Sequence, residues 1–491
     1  MRVNLYTIKW SFAAAICCAL MLPDIAKAQQ LGIANSNYAG TNSLYTNPSA
    51  IADARHRFYL NLFSAEFGAT NNYLRYDAPV SLFKLIKDDM AFESEYIQEN
   101  LNGKPKLVMA GVDFRGPSVM VQLNSMQSFA FTTRVRGAVQ ANNVSEEIAR
   151  LYKVADGEDE SYLNKSYTNN AINLNANVFS EFGLTYARVL LEDGHHFIKA
   201  GATVKRLSGG YSAFLNIQDT DISVEEKEIA GSEDYEYVAS VGKINAKYGY
   251  ASMREFDAMA SGDVLRMLTG GNSVGSGWGA DLGLTYEYSH EARNYHWSRN
   301  GGVTQYKYRL GIALMDLGRI NYNDAALVSA YNIARTNKEI NLTELGEAED
   351  TEEMIDYLNQ SLDVSESDKK IEFITGLPTA LHINLDYNIK GAFYANATLI
   401  HGLRGKHAVG MRQNSLFAIT PRVEFKKFEA SMPVALQNNY SVLTVGAMIR
   451  FLHFYVGSDN IGGAFNIGNP YGANAYVGVS LLPLLKRTPK V

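Results

Sequence analysis

Along most of the chain apolar and polar residues alternate one for one, the pattern of strands with one greasy and one wet face. In Phe129, Phe131, Thr133, Val135, Gly137 and Val139 one face is apolar, while Ala130, Thr132, Arg134, Arg136 and Ala138 form the other. Trp278, Ala280, Leu282, Leu284, Tyr286 and Tyr288 repeat the pattern, as do Tyr308 to Leu314 against Lys307, Arg309, Gly311 and Ala313. So do Leu381, Ile383, Leu385 and Tyr387 against His382, Asn384, Asp386 and Asn388. A soluble sandwich also alternates, but its strands usually run about five or six residues, whereas a tilted membrane strand needs about 9–11. Many of these runs reach the longer length, so the pattern predicts an all-β membrane fold, an antiparallel transmembrane β-barrel.

Fourteen strands are expected: Phe58 to Gly68, Leu107 to Asn124, Phe129 to Gln140, Ile172 to Leu191, Phe197 to Ile217, Trp278 to Ser289 and Val303 to Asp316 in the first half. Thr379 to Ile389, Ala392 to Gly402, Leu416 to Lys426, Phe428 to Leu436, Ser441 to Arg450, His453 to Gly457 and Ala475 to Leu485 complete the set. An even count suits a barrel with both termini in the periplasm, where turns are short and the opposite loops long. The turns Ser125-Met126-Gln127, Glu192-Asp193-Gly194, Lys390-Gly391 and Lys427 then share one side. Gly116-Pro117 interrupts the second strand, because proline lacks the ladder donor; a bulge there and two shorter strands are both open.

Helices are expected in the long loops. Leu82, Leu85, Ile86 and Met90 recur at helical spacing within Val80 to Asn100, and Arg254 to Leu268 reads similarly. Asp350-Thr351-Glu352-Glu353 resembles a helix start, followed by Met354, Ile355, Leu358 and Leu362 on one face. Such helices fold over the outer mouth to bury those residues, with partner docking as the alternative. The acidic groups Asp156 to Glu160, Glu225 to Glu236 and Glu344 to Asp368 read as solvated loop charge; calcium is the alternative, but no loop has defined ligand spacing.

Composition changes little and location much. Charged residues make up 20% and hydrophobic ones 46% of 491, the ordinary mixture a barrel shows because half its strand residues face a wet interior. Arg2 and Lys9, the apolar stretch Ser11 to Leu22 and Ala26-Lys27-Ala28 form a secretory leader, with cleavage expected before Gln29. Both cysteines, Cys17 and Cys18, lie inside the leader. A lipid anchor on them is the less favoured alternative, because apolar Ala19 to Leu22 continue past them and the small-residue cleavage site lies later; the mature chain is then expected to hold no thiol, disulfide or cysteine metal site. The formal net charge is −6, and losing Arg2, Lys9 and Lys27 against Asp24 makes the mature chain more acidic, which argues against a nucleic-acid partner.

Between the expected cleavage site and the first strand, Gln29 to Arg57 is rich in Gly, Asn and Ser. Its segment Gly32-Ile33-Ala34-Asn35-Ser36-Asn37-Tyr38-Ala39-Gly40 and the step Asn47-Pro48-Ser49-Ala50, before a fourteen-stranded barrel, resemble the FadL-like outer-membrane proteins. The resemblance implies that this segment folds inside the barrel as a plug or hatch, with Asn47, Pro48, Ser49 and Ala50 as hatch residues; Ser49 stands where that family commonly has alanine. The run Tyr45 to Arg55, leading into Phe58-Tyr59-Leu60-Asn61-Leu62 with Asn71-Asn72-Tyr73 beyond, is similar to an uncharacterised barrel family of Bacteroidota-type outer membranes. Physically, Pro48 fixes its own φ and Asn47 makes a local side-chain turn, so the pair redirects the chain into the first strand, whether as a plain turn or a hinge.

The expected divisions are 1–28 leader, 29–57 plug, 58–485 barrel and 486–491 a short basic periplasmic tail. Alternation assigns Arg134, Arg136, Lys199, Lys205, Asp281, Glu287, Lys307, Arg309, His382 and Asp386 to the lumen. Charges of both signs pair in a confined space, which favours a plugged, salt-bridged interior over a pore ringed by one sign. By the resemblance, Phe83, Leu85, Ile86, Met90 and Phe92 would line an apolar pocket at the outer mouth, with ordinary packing as the equal alternative. No G-x-S-x-G, H-E-x-x-H or phosphate loop occurs, and His195-His196 sits at a turn, so the sequence supports neither enzyme, cofactor nor metal. Passive movement of a small hydrophobic molecule is the favoured function, with outer-membrane lipid as the surrounding partner. The alternative is a barrel anchor or docking component of a surface or secretion complex.

Overall fold

The computed structural model describes residues 30–81, 84, 87–88, 94–124, 126–155, 160–228, 235–253, 266–267, 273–290, 306–348, 351–465, 468 and 470–481. The expected leader, the tail and the outer-mouth residues Phe83, Leu85, Ile86, Met90 and Phe92 lie outside the described residues, as do most of Arg254 to Leu268 and of Asp156 to Glu160.

Twenty-one strand segments join into a single antiparallel sheet of fourteen columns that closes on itself. The first seven are β1 (Phe58–Asn71), β2 (Lys106–Arg115 and Ser118–Gln122), β3 (Gln127–Val144), β4 (Ser166–Asp193), β5 (His196–Glu228), β6 (Tyr235–Ser252 and Gly275–Tyr288) and β7 (Tyr308–Tyr322 and Val328–Asn341). They continue as β8 (Lys369–Lys370, Phe373–Gly376 and Ala380–Lys390), β9 (Phe393–Gly402), β10 (Leu416–Glu424), β11 (Phe428–Ser431 and Val434–Gln437), β12 (Val442–Val445 and Ala447–Phe451), β13 (Phe454–Ser458) and β14 (Gly472–Leu481). β14 pairs back onto β1 from Leu60↔Leu481 to Thr70↔Gly472. Closure matters because lipid supplies no hydrogen bonds, so every backbone group at that depth must pair within the wall.

Alternation sorts the two faces. Trp278 is 62% exposed and Leu282 51%, and Leu284, Leu310, Ile312, Leu385, Ile449 and Val456 also point outward. At the short-turn end the outward residues turn aromatic: Phe129 meets Tyr186 at 4.9 Å and Tyr288 meets Tyr308 at 5.2 Å, with Phe393, Phe428, Phe451 and Phe454 around the same rim. Toward the other end the Arg206 guanidinium lies 5.4 Å over the Trp278 ring. Aromatic residues at the rims bound the oily belt of a membrane barrel, which is about 25 Å tall.

The wall is uneven. β4 and β5 run 28 and 33 residues, whereas β9, β10 and β14 have 10, 9 and 10. The excess rises past the membrane as a wing of β4, β5 and the upper segments of β6 and β7. Val224, Ala239, Val241, Ile244, Ala246 and Ile333 form an apolar surface on it. Helices α2 (Glu146–Ala155), α3 (Leu342–Glu347) and α4 (Thr351–Ser361) cover that surface with Leu151, Leu345, Ile355 and Leu358. Asn341 starts α3 by accepting the Thr343 and Glu344 amides at 3.0 and 3.3 Å, which satisfies donors that the helix cannot.

Four expectations need correction. Glu225 to Glu228 and Glu236 belong to strands of the wing rather than loops, and Val328–Asn341 continues β7 where a loop was expected. Within Val80 to Asn100, Ile97–Glu99 pairs with Leu74–Tyr76 as a small hairpin instead of extending a helix, because Tyr73, Leu74 and Ile97 are drawn under α2. The 289–307 connection is long although it lies on the short-turn side. At Gly116-Pro117 the strand is broken but not ended: Gly116 donates to the Thr133 carbonyl at 2.9 Å and Pro117 accepts Thr133 Oγ1 at 3.1 Å, so both halves keep the same neighbours.

Leu282→Arg places a charge near the middle of the lipid face and is expected to cost about 2–4 kcal/mol. Denaturant unfolding in bilayers checks this against Leu282→Ala; an equal effect of the two would remove Leu282 from the lipid face.

Candidate functional site

Residues 30–57 occupy the lumen. Their local structure follows from small and turn-forming residues: α1 (Leu31–Ala34) and two 3-10 turns, Gly40–Tyr45 and Pro48–Ile51. The second turn begins where Asn47 Oδ1 accepts the Ser49 amide at 2.9 Å and Pro48 supplies a preset φ. Asn47 Nδ2 then donates to the Leu284 carbonyl at 3.1 Å, and Ser49 Oγ meets Thr285 Oγ1 at 2.7 Å. Two wall glycines permit this approach. A Cβ on Gly201 would meet the Pro48 carbonyl carbon at 2.5 Å, and one on Gly283 would meet Pro48 Cδ at 2.8 Å. Ala50 lines a cleft on the short-turn side of the segment. Elsewhere polar contacts alternate with apolar ones: Asn35 to Thr398 at 3.0 Å, Ser36 to Glu429 at 2.7 Å and Asn37 to Glu424 at 2.8 Å, while Leu31 packs with Ile400, Ile33 with Met448, and Leu44 and Ile51 with Met120 and Phe197 in buried clusters.

Around this segment the inward charges pair. Asp113 takes Arg115 at 3.2 Å and Arg134 Nε at 2.7 Å. Arg134 also faces Glu181 at 3.7 Å; Glu181 binds Arg136 at 2.8 Å, and Arg136 reaches Asp316 at 2.8 Å. Lys205 sits between Asp316 at 2.6 Å and Asp281 at 2.8 Å. A second group centres on Asp386, which accepts Arg422 Nη2 at 2.7 Å, Arg309 at 3.4 Å and the Tyr306 hydroxyl. Arg422 continues to Glu424 at 2.7 Å, and Lys199 pairs separately with Glu287 at 2.8 Å. His382 Nδ1 lies 3.2 Å from the Thr46 carbonyl and so binds the segment itself.

Nine of the ten charged positions named from alternation thus stand buried or half-buried in these groups. Lys307 does not: at the rim, its Nζ donates to the Asn388 carbonyl at 2.8 Å and lies 4.3 Å over the outward Tyr387 ring. Asp113, Arg115, Glu181, Asp316, Arg422, Glu424, Glu429 and Arg450 escaped the sequence reading. Their signal was the same alternation, since Asp113 and Arg115 share a face of β2 and Arg422 and Glu424 a face of β10. No group of three or more metal-ligating side chains occurs among the described residues.

A cleft of about 660 Å³, its open mouth included, separates part of the segment from β5, β6 and β7; Asp53, Arg55, His56, Lys199, Glu287 and Arg309 lie along it. Beside it, the Tyr38 ring is held between Arg55 at 4.7 Å and Arg450 at 4.4 Å, and the His56 ring packs at a tilt 5.8 Å from Tyr38 and 5.6 Å from Tyr59. Burial, reinforced by the Arg450 and Arg55 charges, pushes the His56 imidazole down from 6.5 to about 4.

A family model matches residues 48–459. The chain belongs to DUF5723, a family of unknown function. No curated protein is similar in sequence to this DUF5723 barrel. Among solved structures it is similar to a mutant of the TodX monoaromatic hydrocarbon channel, at 10% identity and a TM-score of 0.40, covering 94% of this chain and 99% of that one. The Ralstonia pickettii toluene transporter TbuX shows 9% identity and a TM-score of 0.36 over 90% and 93% of the two chains. A Pseudomonas aeruginosa FadL homologue shows 11% and 0.28 over 89% and 92%. With its closed wall and outward apolar belt, the DUF5723 chain is a membrane-spanning β-barrel.

Two measurements test the site. Asp113→Asn strands Arg115 and Arg134 without their shared carboxylate and is expected to lower stability by about 3–5 kcal/mol in denaturant unfolding. For His56, the unfolded imidazole takes up its proton as pH falls below 6.5 while the folded one waits until about 4, so its contribution is complete above 6.5 and lost toward 4. The barrel should therefore weaken between those values more than a His56→Gln variant does, and parallel pH profiles would contradict this.

Proposed function

We propose that this barrel is a passive carrier of a small hydrophobic molecule across the outer membrane, closed at rest by residues 29–57 acting as a plug. Asn47, Pro48, Ser49 and Ala50 would seat that plug on the wall, with 58–485 as the barrel that it closes. The observation that carries the reading is that the lumen is filled by a separate segment held through polar bonds such as Ser49 to Thr285 and Asn47 to Leu284. Each of those bonds exchanges for water at little net cost, so release of the segment breaks no strand, and its main cost is exposure of the buried Leu31, Ile33, Leu44 and Ile51. Beside the paired charges, the wall offers an apolar solute only the buried cluster of Phe179, Leu207, Ile320 and Tyr322. Its selection would fall to the long-loop end, where Phe83, Leu85, Ile86, Met90 and Phe92 are placed by sequence, and the wall would supply passage once the plug yields.

One observation favours a second reading. The wing of β4 to β7, buttressed by three helices, is far taller than gating requires and suits a docking surface for surface or secretion-complex proteins, with the barrel as anchor. The two readings separate in liposomes carrying Ser49→Cys with Thr285→Cys, whose parent oxygens lie 2.7 Å apart in a mature chain expected to hold no other cysteine. Transport predicts uptake of a fluorescent detergent-like solute by the reduced form and its loss on oxidation. If reduced, oxidised and 29–57-deleted barrels all exclude the solute, the carrier reading fails and docking replaces it.

A further inference from the structure

The connection between β9 and β10, residues 403–415, folds inward across the long-loop end of the lumen. Its ends are fixed by β9 and β10, yet its backbone is held by side chains of β3, β4 and β5, and β3 stands on the opposite side of the ring from β10. Asn173 on β4 donates to the Lys406 and Ala408 carbonyls at 2.8 and 3.2 Å, and Asn216 on β5 donates to the His407 carbonyl at 2.6 Å. Asn175 Oδ1 accepts the Gly410 amide at 2.6 Å. Gln140 on β3 takes both backbone groups of Arg412: its Nε2 donates to the carbonyl at 2.9 Å and its Oε1 accepts the amide at 2.8 Å. A side-chain amide offers the same donor and acceptor as a peptide unit, so these inward residues bind the crossing chain as a neighbouring strand would.

The crossing is braced from within and packed from below. Arg404 donates to the Gly376, Val409 and Met411 carbonyls at 2.6, 2.7 and 2.9 Å. Gly410 has a φ of +98°, and a Cβ there would meet the Gly376 amide nitrogen at 2.8 Å, so only glycine passes between Asn175 and β8. Met411 is 1% exposed and joins the buried cluster of Val135, Phe179, Leu207 and Tyr322. The inward residues of β4 give the order in depth: Asn173 and Asn175 meet the crossing, Phe179 belongs to the apolar layer, and Glu181 to the ion pairs with Arg136, whose guanidinium lies 5.5 Å over the Phe179 ring. The Pro48 turn meets the wall lower still, at Gly201, which pairs with Ala187 of the same strand.

We propose that residues 403–415 are a second closure of the lumen, a strap across its outer mouth that acts independently of the N-terminal segment. Release of that segment clears the lower lumen and leaves the strap, its amide seat and the Met411 layer in place. Lifting the strap between Arg404 and Arg412 breaks no strand pairing; side-chain amides exchange its backbone for water, and Met411 leaves its apolar layer. The strap lifts on its own in the native barrel, so it limits the rate of entry without forbidding it. This does not rest on the carrier reading, because a strap bars water and ions as well as any solute.

The test uses the full mature barrel in nanodiscs, with Ala138→Cys as a reporter. Ala138 lies on β3 in the layer beneath the strap, is 4% exposed, and stands in a mature chain expected to hold no other cysteine. Replacing Asn173, Asn175 and Asn216 together by alanine is expected to speed labelling by a small charged thiol reagent about tenfold or more. Asn177→Ala removes an inward asparagine that meets Ser212 instead of the strap, and is expected to leave the rate unchanged. No change in a folded triple variant overturns the proposal, as does equal speeding by Asn177→Ala. Hydrogen exchange of the unaltered barrel decides the matter if the triple variant does not fold. The Gly410 and Arg412 amides, seated on Asn175 and Gln140, are expected to be protected at least about tenfold more than that of exposed Lys406, and equal protection overturns the strap.

Discussion

A cylinder of fourteen strands is too wide for its inward side chains to meet across the axis, and that constraint governs the rest of the molecule. Barrels of about eight strands are filled by their own side chains, whereas larger ones enclose space. Here the space is taken by a stretch of chain built from short helical turns, and the charged side chains pair along the wall beside it. Arg136 therefore finds Asp316 from a strand far along the sequence, and Arg422 finds Asp386 two columns away. Had the lumen been left wet, these side chains could have relied on water, and their mutual spacing would matter far less.

Legibility followed from the number of constraints on each position. A strand meeting lipid on one face and polar atoms on the other must alternate, so Trp278 to Tyr288 and Leu381 to Tyr387 announce themselves residue by residue. The upper segments of β6 and β7 hid because their apolar side is covered by helices and their other side by water, and because acids such as Glu236 on β6 and Glu225 beside it on β5 look like loop charge. At the lumen, alternation chooses the face but not the partner. Which charges meet depends on cross-strand register, and single-residue shifts such as the one between Ala280 and Leu282 reset it in ways no local pattern records. The Asn47-Pro48 turn was visible from its own chemistry, whereas its seat on Gly201 and Gly283 was not, since a glycine in a strand reads first as a weak spot.

The unevenness of the wall separates two tasks. From β9 to β14 the strands are little longer than the bilayer requires, and this side serves closure. β4 and β5 carry on beyond the lipid, and the helices packed on them give the exterior a hydrophobic core of its own. The outer part is thus stabilised the way a water-soluble domain is, by burial of apolar area, while the lower part is stabilised by lipid outside and by ion pairs and small apolar clusters within.

The glycine seat also says something about inheritance. Where recognition consists of matching side chains, both partners must change together. Where it consists of a smooth strip from which side chains are missing, as at Gly201 and Gly283, the receiving surface sets only a size limit. The chain lying against that strip is free to vary in chemistry as long as it stays slim, whereas the strip itself tolerates not even a methyl group.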